Sequence, residues 1–366
     1  MKYIINCSDI RDNIAAVKAE VGSAKIIGVL KGNGYGFGRD EMAKLLLENG
    51  IEMFAVTEVE DAEALSATIL KGKDILMLRS TAVPEEIARI ADIGAIATIG
   101  SQEAALAYNA YCESKGIIGR AHMKIDTGMG RYGLMPSEID DVCFILDTCK
   151  CVRFEGIYTH FAAAFTNIAR TEEQLDTFLD VVNGLKERGY TFEMVHAANS
   201  SAAFNVPASR LDAVRIGSAF TGRILGEHAK KLKRVGYLQA QVIDMTTFPK
   251  GWKVGYNGTY TTNRPTKIAV VPVGHTDGWG MAPDTDIFRF GDAVVSSLKT
   301  MKDYLAKSHK YVEISGKKYM VIGQIGLSHT AVDVTGSDVK PGDVVKLDFS
   351  PLYVNPTVLK EYLTGE

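Results

Sequence analysis

Lys31 closes an apolar run, Ala24–Leu30, and opens a segment with glycine at every second position: Gly32-Asn33-Gly34-Tyr35-Gly36-Phe37-Gly38. A short apolar run bounded by glycine is of buried-strand type. Lys31 therefore sits where a strand gives way to a loop. Barrels and doubly wound sheets present reactive groups at such strand ends. A lysine kept partly neutral there can form a Schiff base with a carbonyl compound. The glycine spacing is no dinucleotide fingerprint, because Gly32 and Gly34 lead to Phe37, and Gly34 and Gly36 lead to Arg39. No Walker lysine follows the glycines either. Taken alone, Lys31 reads first as a solvated loop lysine beside a flexible turn, since a lone lysine is usually exposed.

Further segments carry groups that could work with it. Lys124–Leu134 reads Lys-Ile-Asp-Thr-Gly-Met-Gly-Arg-Tyr-Gly-Leu, and Tyr158–Ala162 reads Tyr-Thr-His-Phe-Ala. His196–Ala202 reads His-Ala-Ala-Asn-Ser-Ser-Ala, Val214–Gly217 reads Val-Arg-Ile-Gly, and Val254–Tyr260 reads Val-Gly-Tyr-Asn-Gly-Thr-Tyr. In this order the set resembles the alanine racemase family, from about Lys25 to Val334. The resemblance implies a pyridoxal 5'-phosphate (PLP) enzyme that moves a proton at the Cα of a small amino acid. L-Alanine/D-alanine interconversion comes first, with serine or another amino acid as the alternative substrate.

Roles follow from the resemblance position by position. Lys31 would carry PLP and act as base on one face of Cα. Tyr35 would touch the phosphate, with Tyr353 a looser match. From the residues themselves, Gly217 and Ser218 at an expected helix start, and Ser200 after the seventh strand, are further phosphate candidates. Arg131 would bond the PLP phenolic oxygen and lie near the substrate carboxylate. Lys124 matches a position where family members with lysine carry a carbamate that orients the arginine. From the residues alone, Lys124 is simply ion-paired, with Asp126 its nearest acid. Arg215 would face the pyridine nitrogen. A guanidinium keeps its proton, so that nitrogen stays unprotonated and the ring is a weaker electron sink than in PLP enzymes that use a carboxylate there. Tyr256, from the partner subunit of a homodimer with shared active sites, would be the second base. A phenol acts so only in a cationic neighbourhood, which His160, linking Tyr256 to Arg215, would supply.

Some positions depart from the family pattern. The Gly-Tyr-x-Asp-Gly-Tyr segment at the substrate entrance appears as Gly274-His275-Thr276-Asp277-Gly278-Trp279. The Met-Asp pair that contacts the substrate carboxylate appears as Leu327-Ser328, and Phe37 stands where histidine is usual. The proton-transfer groups are all matched while the substrate pocket is altered. Two competing readings follow: a PLP-dependent decarboxylase of basic amino acids, against which Arg215 speaks, and a non-catalytic PLP-binding protein, against which Tyr256 speaks.

The elements that must position these groups are visible as alternating patterns. Eight apolar runs read as strands: Lys25–Leu30, Met53–Val56, Ile75–Leu78, Ala95–Ile99, Ala121–Ile125, Phe154–Tyr158, Met194–Ala197 and Ala213–Ile216. Helical patterns separate them. Asp40–Asn49 stops at Gly50, Ser101–Ser114 starts on a capping serine, and Thr171-Glu172-Glu173-Gln174 reads as a capping box for a helix closed by Gly189. A further helix is expected to open at Gly217-Ser218. Strand and helix in strict alternation imply parallel strands, and eight such units are the count of a (β/α)8 TIM-like barrel. An open doubly wound sheet is the alternative. After Glu227 the pattern changes. Leu238–Met245, Lys267–Val273, Ala293–Ser297, Lys310–Ile314, Lys318–Ile322 and Val344–Phe349 read as strands of a mostly antiparallel β domain. The expected organisation is a PLP-binding barrel over residues 7–227 and a β domain over 228–366. The resemblance assigns residues 1–6 to the second domain.

Bulk composition narrows the class. With 366 residues, 46% of them hydrophobic, the chain is long enough for two domains and a large core. The 41 basic and 44 acidic residues are interspersed, for a net charge of −3, which excludes a nucleic-acid or membrane-surface stripe. No apolar run approaches a membrane span, and Met1–Asn6 does not open a signal peptide. The five cysteines form no C-x-x-C pair. They read as reduced, with no disulfide framework and no metal site, as in a cytoplasmic enzyme.

Overall fold

The computed structural model describes residues 1–224, 227–281, 290–305 and 309–364. Two compact units divide the chain: Cys7–Val235 with Thr364–Glu366, and Met1–Asn6 with Gly236–Leu363. The division falls between Val235 and Gly236 rather than after Glu227.

The larger unit is a closed barrel of eight parallel strands. After β1 (Lys2–Asn6), which belongs to the other unit, the barrel runs β2 (Lys25–Val29), β3 (Met53–Val56), β4 (Asp74–Ser80), β5 (Ile96–Ile99), β6 (Gly119–Lys124), β7 (Val152–Tyr158), β8 (Met194–Asn199) and β9 (Ala213–Ile216). β9 closes on β2 with Ile27 opposite Arg215. Alternate strand residues share a face. Ile27, Val29, Ala55, Leu76, Ile96 and Ala213 accordingly form one buried cluster. Helices follow most strands. Ser101 caps Gln102–Lys115 by accepting the Ala104 N–H at 3.1 Å, a bond whose loss to alanine typically costs ~1 kcal/mol. Gly50 and Gly189 follow their helices in left-handed conformation, as expected.

Four local expectations are corrected. The helix Ile168–Glu187 begins earlier than Thr171. Asn167 is its cap, accepting the Arg170 N–H at 3.0 Å, and Thr171 is buried in the first turn with its hydroxyl on the Asn167 carbonyl. Ser218–Thr221 is a single 3-10 turn and not a helix start. Ala293–Ser297 lies inside a helix, Phe290–Leu305. An Ala-Val-Val run fits either element, and Val294, Leu298 and Met301 recur here at helical spacing. The segment from Lys31 is no open loop: Gly32, Asn33, Gly34 and Tyr35 all have φ between 53° and 61°. This is a left-handed helical turn, closed by the Gly34 N–H on the Leu30 carbonyl at 2.9 Å. Glycine makes such a turn affordable at two of its four residues.

The smaller unit carries a nine-stranded sheet. Its order is Asp244–Phe248, Thr266–Val271, Thr330–Asp333, Lys317–Ile322, Tyr311–Ile314, Val344–Leu347, Tyr237–Gln241, β1, and Lys360–Leu363. Eight of these strands pair antiparallel in sequence along the sheet, and only β1 with Lys360–Leu363 is parallel. The expected strand Leu238–Met245 is two strands. At Val242 and Ile243 the chain leaves Val344–Leu347 and takes up Thr266–Val271 as its partner.

Candidate active site

The barrel strands end around a cavity of about 270 Å³ lined by Lys31, Tyr35, Lys124, Arg131, Tyr132, Tyr158, His160, Asn199, Ser200, Arg215 and Ser218, among others. Four of these residues are lysine or arginine, and none is a carboxylate. Lys31 follows β2, Lys124 ends β6, His160 follows β7, Ser200 follows β8, and Arg215 lies on β9. These are the C-terminal ends of the strands, where barrel enzymes hold their chemistry.

Arg215 is 3% exposed and fully engaged. Its Nη2 donates to the Thr159 and Ala197 carbonyls at 2.7 and 2.8 Å, and reaches His160 Nδ1 at 3.3 Å. Its Nη1 donates to His196 Nδ1 at 2.8 Å. An arginine only donates, so the His196 proton resides on Nε2. That atom then donates to His122 Nδ1 at 2.9 Å. Burial, reinforced by the Arg215 charge, holds His160 and His196 well below the usual histidine range. Burial and then the Arg120 and Arg215 charges push His122 down to about 4. All three imidazoles are neutral at pH 7. Burial lowers Arg215 to about 10, which leaves it charged.

Lys124 is 2% exposed, with Nζ donating to the Ile125 carbonyl at 2.9 Å. Among the described residues it has no ion-pair partner. Asp126 is instead taken up by backbone N–H groups of its own loop. Burial, with the charges of Arg215 and Arg131, pushes Lys124 down to about 7. Lys124 and Arg215 both lie over the Tyr158 ring, at 5.4 and 4.9 Å from its centroid. That ring also stacks on His196 at 4.7 Å. Lys31 is lowered from the ordinary lysine value by burial, then by Arg131 and Arg215. Gly217 lies against Tyr35, since a Cβ there would come within 2.3 Å of the tyrosine ring and hydroxyl. The Gly217 N–H donates to Ser200 Oγ at 3.0 Å, and the Ala219 N–H reaches it at 3.4 Å.

Two families match the chain: alanine racemase, N-terminal domain, over residues 5–224, and alanine racemase, C-terminal domain, over residues 235–350. The alanine racemase of Desulforamulus reducens is 31% identical over 338 residues, which cover 90% of this chain and 84% of that protein. The chain belongs to the alanine racemase family. Solved racemases share its fold. The biosynthetic alanine racemase from Pseudomonas aeruginosa is 26% identical with a TM-score of 0.82, covering 99% of each chain. The alanine racemase from Bartonella henselae, solved with covalently bound pyridoxal phosphate, is 24% identical with a TM-score of 0.82 over 99% of each chain.

The remaining family-matched residues lie in the C-terminal unit. Tyr256, Gln324, Gly326, Leu327, Ser328 and His329 share a second cavity, of about 570 Å³. Tyr256 is 66% and Leu327 64% exposed within the single chain. The turn holding His275 docks on the same segment: its N–H donates to the Gly326 carbonyl at 3.0 Å, and the Thr276 N–H to the Leu327 carbonyl at 2.9 Å. Three of the departures from the family pattern, His275, Leu327 and Ser328, are thus neighbours. Tyr353 lines neither cavity, and its carbonyl packs against Gly278.

Sequence reasoning singled out neither His122, Tyr132 nor Thr98. Tyr158 appeared only as part of a motif, although its hydroxyl bonds Thr98 Oγ1 at 2.8 Å and its ring carries two cations. A signal for His122 was present. It stands two residues before Lys124 on the same strand, so both face the barrel interior. Among the described residues, no cluster of His, Cys, Asp or Glu could hold a metal ion, and no helix is long and apolar enough to cross a membrane.

Proposed function

We propose that this protein interconverts the enantiomers of a small amino acid, alanine first and serine second, with PLP held in the barrel cavity. The observation that carries this reading is the barrel cavity with four cationic side chains and no carboxylate, in a chain of the alanine racemase family. That donor set fits a phosphorylated pyridine aldehyde: lysine for the aldehyde carbon, hydroxyls and backbone N–H groups for the phosphate, and a guanidinium for the ring nitrogen. Lys31, Tyr35, Ser200, Gly217 and Ser218 would hold its aldehyde and phosphate ends, and Arg131 and Arg215 its ring. Bound there, PLP supplies an electron sink that lets the Cα proton leave at neutral pH.

The chain's own groups supply the proton transfers. Burial and two neighbouring arginines favour the neutral form of Lys31, and a neutral Nζ can accept the Cα proton on one face. Tyr256 of the partner subunit serves the opposite face, in a homodimer with two shared sites. Its exposure in the single chain leaves the hydroxyl available to such a partner. His160, neutral and bonded to Arg215, would sit beside that phenol. Arg215, held charged by two carbonyls and two imidazoles, donates a hydrogen bond without giving up its proton.

We also propose that Lys124 is carbamylated. Its buried Nζ has no ion-pair partner among the described residues, and a value of about 7 leaves much of it neutral at physiological pH. The neutral amine would attack the carbon of carbon dioxide, forming an N–C bond as one C=O π bond breaks, its electron pair moving to oxygen and one N–H proton leaving to solvent. The resulting negative charge would counter the surrounding cations. The cytoplasm is the proposed location, supported by five unpaired cysteines.

Chiral analysis of purified, PLP-loaded protein incubated with single enantiomers of alanine, serine and larger amino acids tests the reading. Mirror-image product from alanine or serine is expected. Amine product, or no product from any amino acid, overturns it.

A further inference from the structure

The loop that carries Arg131 is built around a carboxylate. Asp126 Oδ1 accepts the N–H groups of Gly128 and Met129, both at 2.7 Å. Its Oδ2 accepts those of Gly130 and Arg131, at 2.8 and 3.1 Å. A carboxylate has about four acceptor positions, so backbone alone saturates this one. Burial pushes its carboxyl up, but the N–H groups of Gly128, Arg131 and Met129 outweigh burial and hold it below the usual carboxylate range.

The foot of the loop is tied on three sides. The Asp126 N–H donates to the Leu134 carbonyl and the Leu134 N–H to the Lys124 carbonyl, both at 2.9 Å. The Gly133 N–H reaches the Gly100 carbonyl at 3.2 Å. Thr127 Oγ1 lies 2.8 Å from Thr159 Oγ1 and accepts from Nε2 of the buried Gln174 at 3.3 Å. The Arg131 guanidinium lies 4.8 Å from the centre of the Tyr132 ring and has no ion-pair partner among the described residues. Its natural local partner would be the acid five positions earlier, and that acid is occupied.

We propose that Asp126 is a positioning residue: by absorbing the loop's own N–H groups it aims Arg131 into the cavity, unpaired with the acid of its own loop, as a fork for the substrate's carboxylate. This rests on the racemase reading. A planar guanidinium with free donors recognises a carboxylate bidentately, and a wandering loop would lose that geometry while leaving the proton-transfer groups in place.

The test compares PLP-loaded wild type with Asp126→Asn, which keeps the shape but retains one acceptor oxygen. Charge-assisted hydrogen bonds are worth ~1.5–3 kcal/mol, so KM for L-alanine should rise about tenfold to a hundredfold, with kcat within about threefold of wild type. The dissociation constant for propionate, a carboxylate without the reacting amine, should rise by the same factor, and Asp126→Glu should recover part of both. Loss confined to kcat, or unchanged propionate binding, overturns the proposal. Should Asp126→Asn fail to fold, Thr127→Val loosens the same loop at its foot, and an unchanged propionate constant there overturns it equally. Absence of racemisation in wild type strikes the racemase reading instead, because propionate binding still reports on Arg131.

Discussion

The barrel cavity and the Tyr256 cavity differ in how their side chains are held. In the barrel, Lys124, His122, His196 and Arg215 are almost wholly buried, and each is held by a hydrogen bond: Lys124 to the Ile125 carbonyl, His122 to His196, and His196 to Arg215. In the C-terminal unit, Tyr256 and Leu327 sit on turns and are largely exposed. One region is organised within a single chain. The other presents its groups at the surface of the single chain. Buried polar groups must be paired to persist, so the barrel's electrostatics are built into its fold, whereas Tyr256 is open to solvent.

The largest effect expected from breaking this contrast is at Lys31. Lys31→Ala should reduce racemisation by more than ~10⁴-fold, since on the proposed roles it removes both a base and the anchoring amine. Borohydride should leave a covalent PLP adduct on the Lys31 peptide of wild type, and an adduct on another lysine would refute the assignment. Tyr256→Phe comes next. It should slow Cα hydrogen exchange with deuterated solvent ~10²–10⁴-fold for the L enantiomer and far less for the D. Equal exchange of the two would remove Tyr256 from the reaction. Mixed dimers of Lys31→Ala and Tyr256→Phe chains should regain one working site, and verified heterodimers without activity would dispose of sharing.

Smaller effects sharpen the comparison. His122 keeps its imidazole neutral in the fold down to about pH 4, whereas an unfolded histidine protonates near ~6.5. The unfolded chain therefore binds protons first as pH falls, and stability is lost between those values, by roughly 3 kcal/mol for His122 alone. Urea midpoints of the apo-protein should fall from pH 7 to pH 4.5, and a flat profile would show that the barrel imidazoles titrate normally. The smallest effect concerns Lys124. Carbon-13 bicarbonate should give a carbamate resonance in wild type that is absent in Lys124→Arg, with a few-fold activity gain in wild type only.

Much of the barrel was legible because its signals are local. Apolar runs, capping Ser101 and the glycines at helix ends each report on a few neighbouring residues, and the motifs brought Lys31, Arg131 and Arg215 to attention. The imidazole relay was not legible. His122 and His196 are 74 positions apart, and only the closed barrel sets them side by side. The helix Phe290–Leu305 was misread because its Val-Val pair suits a strand as well. The left-handed turn after Lys31 escaped notice for another reason. Alternating glycine announces permissiveness, not the hand that the backbone will take.

That turn bears on how the gene can vary. Gly34 is buried, and a methyl group there would press on Met42 at 3.1 Å. At both Gly32 and Gly34 the backbone already has φ of 61°, where a side chain of ordinary chirality is strained. Every missense change in these two codons introduces a Cβ. Drift there is restrained by the screw sense of the chain, at a cost that Asn33 and Tyr35 already meet in the same turn, although neither glycine has a side chain with which to touch a substrate. A peptide synthesised with D-alanine at position 32 would keep the same hand, so the constraint is on chirality rather than on size.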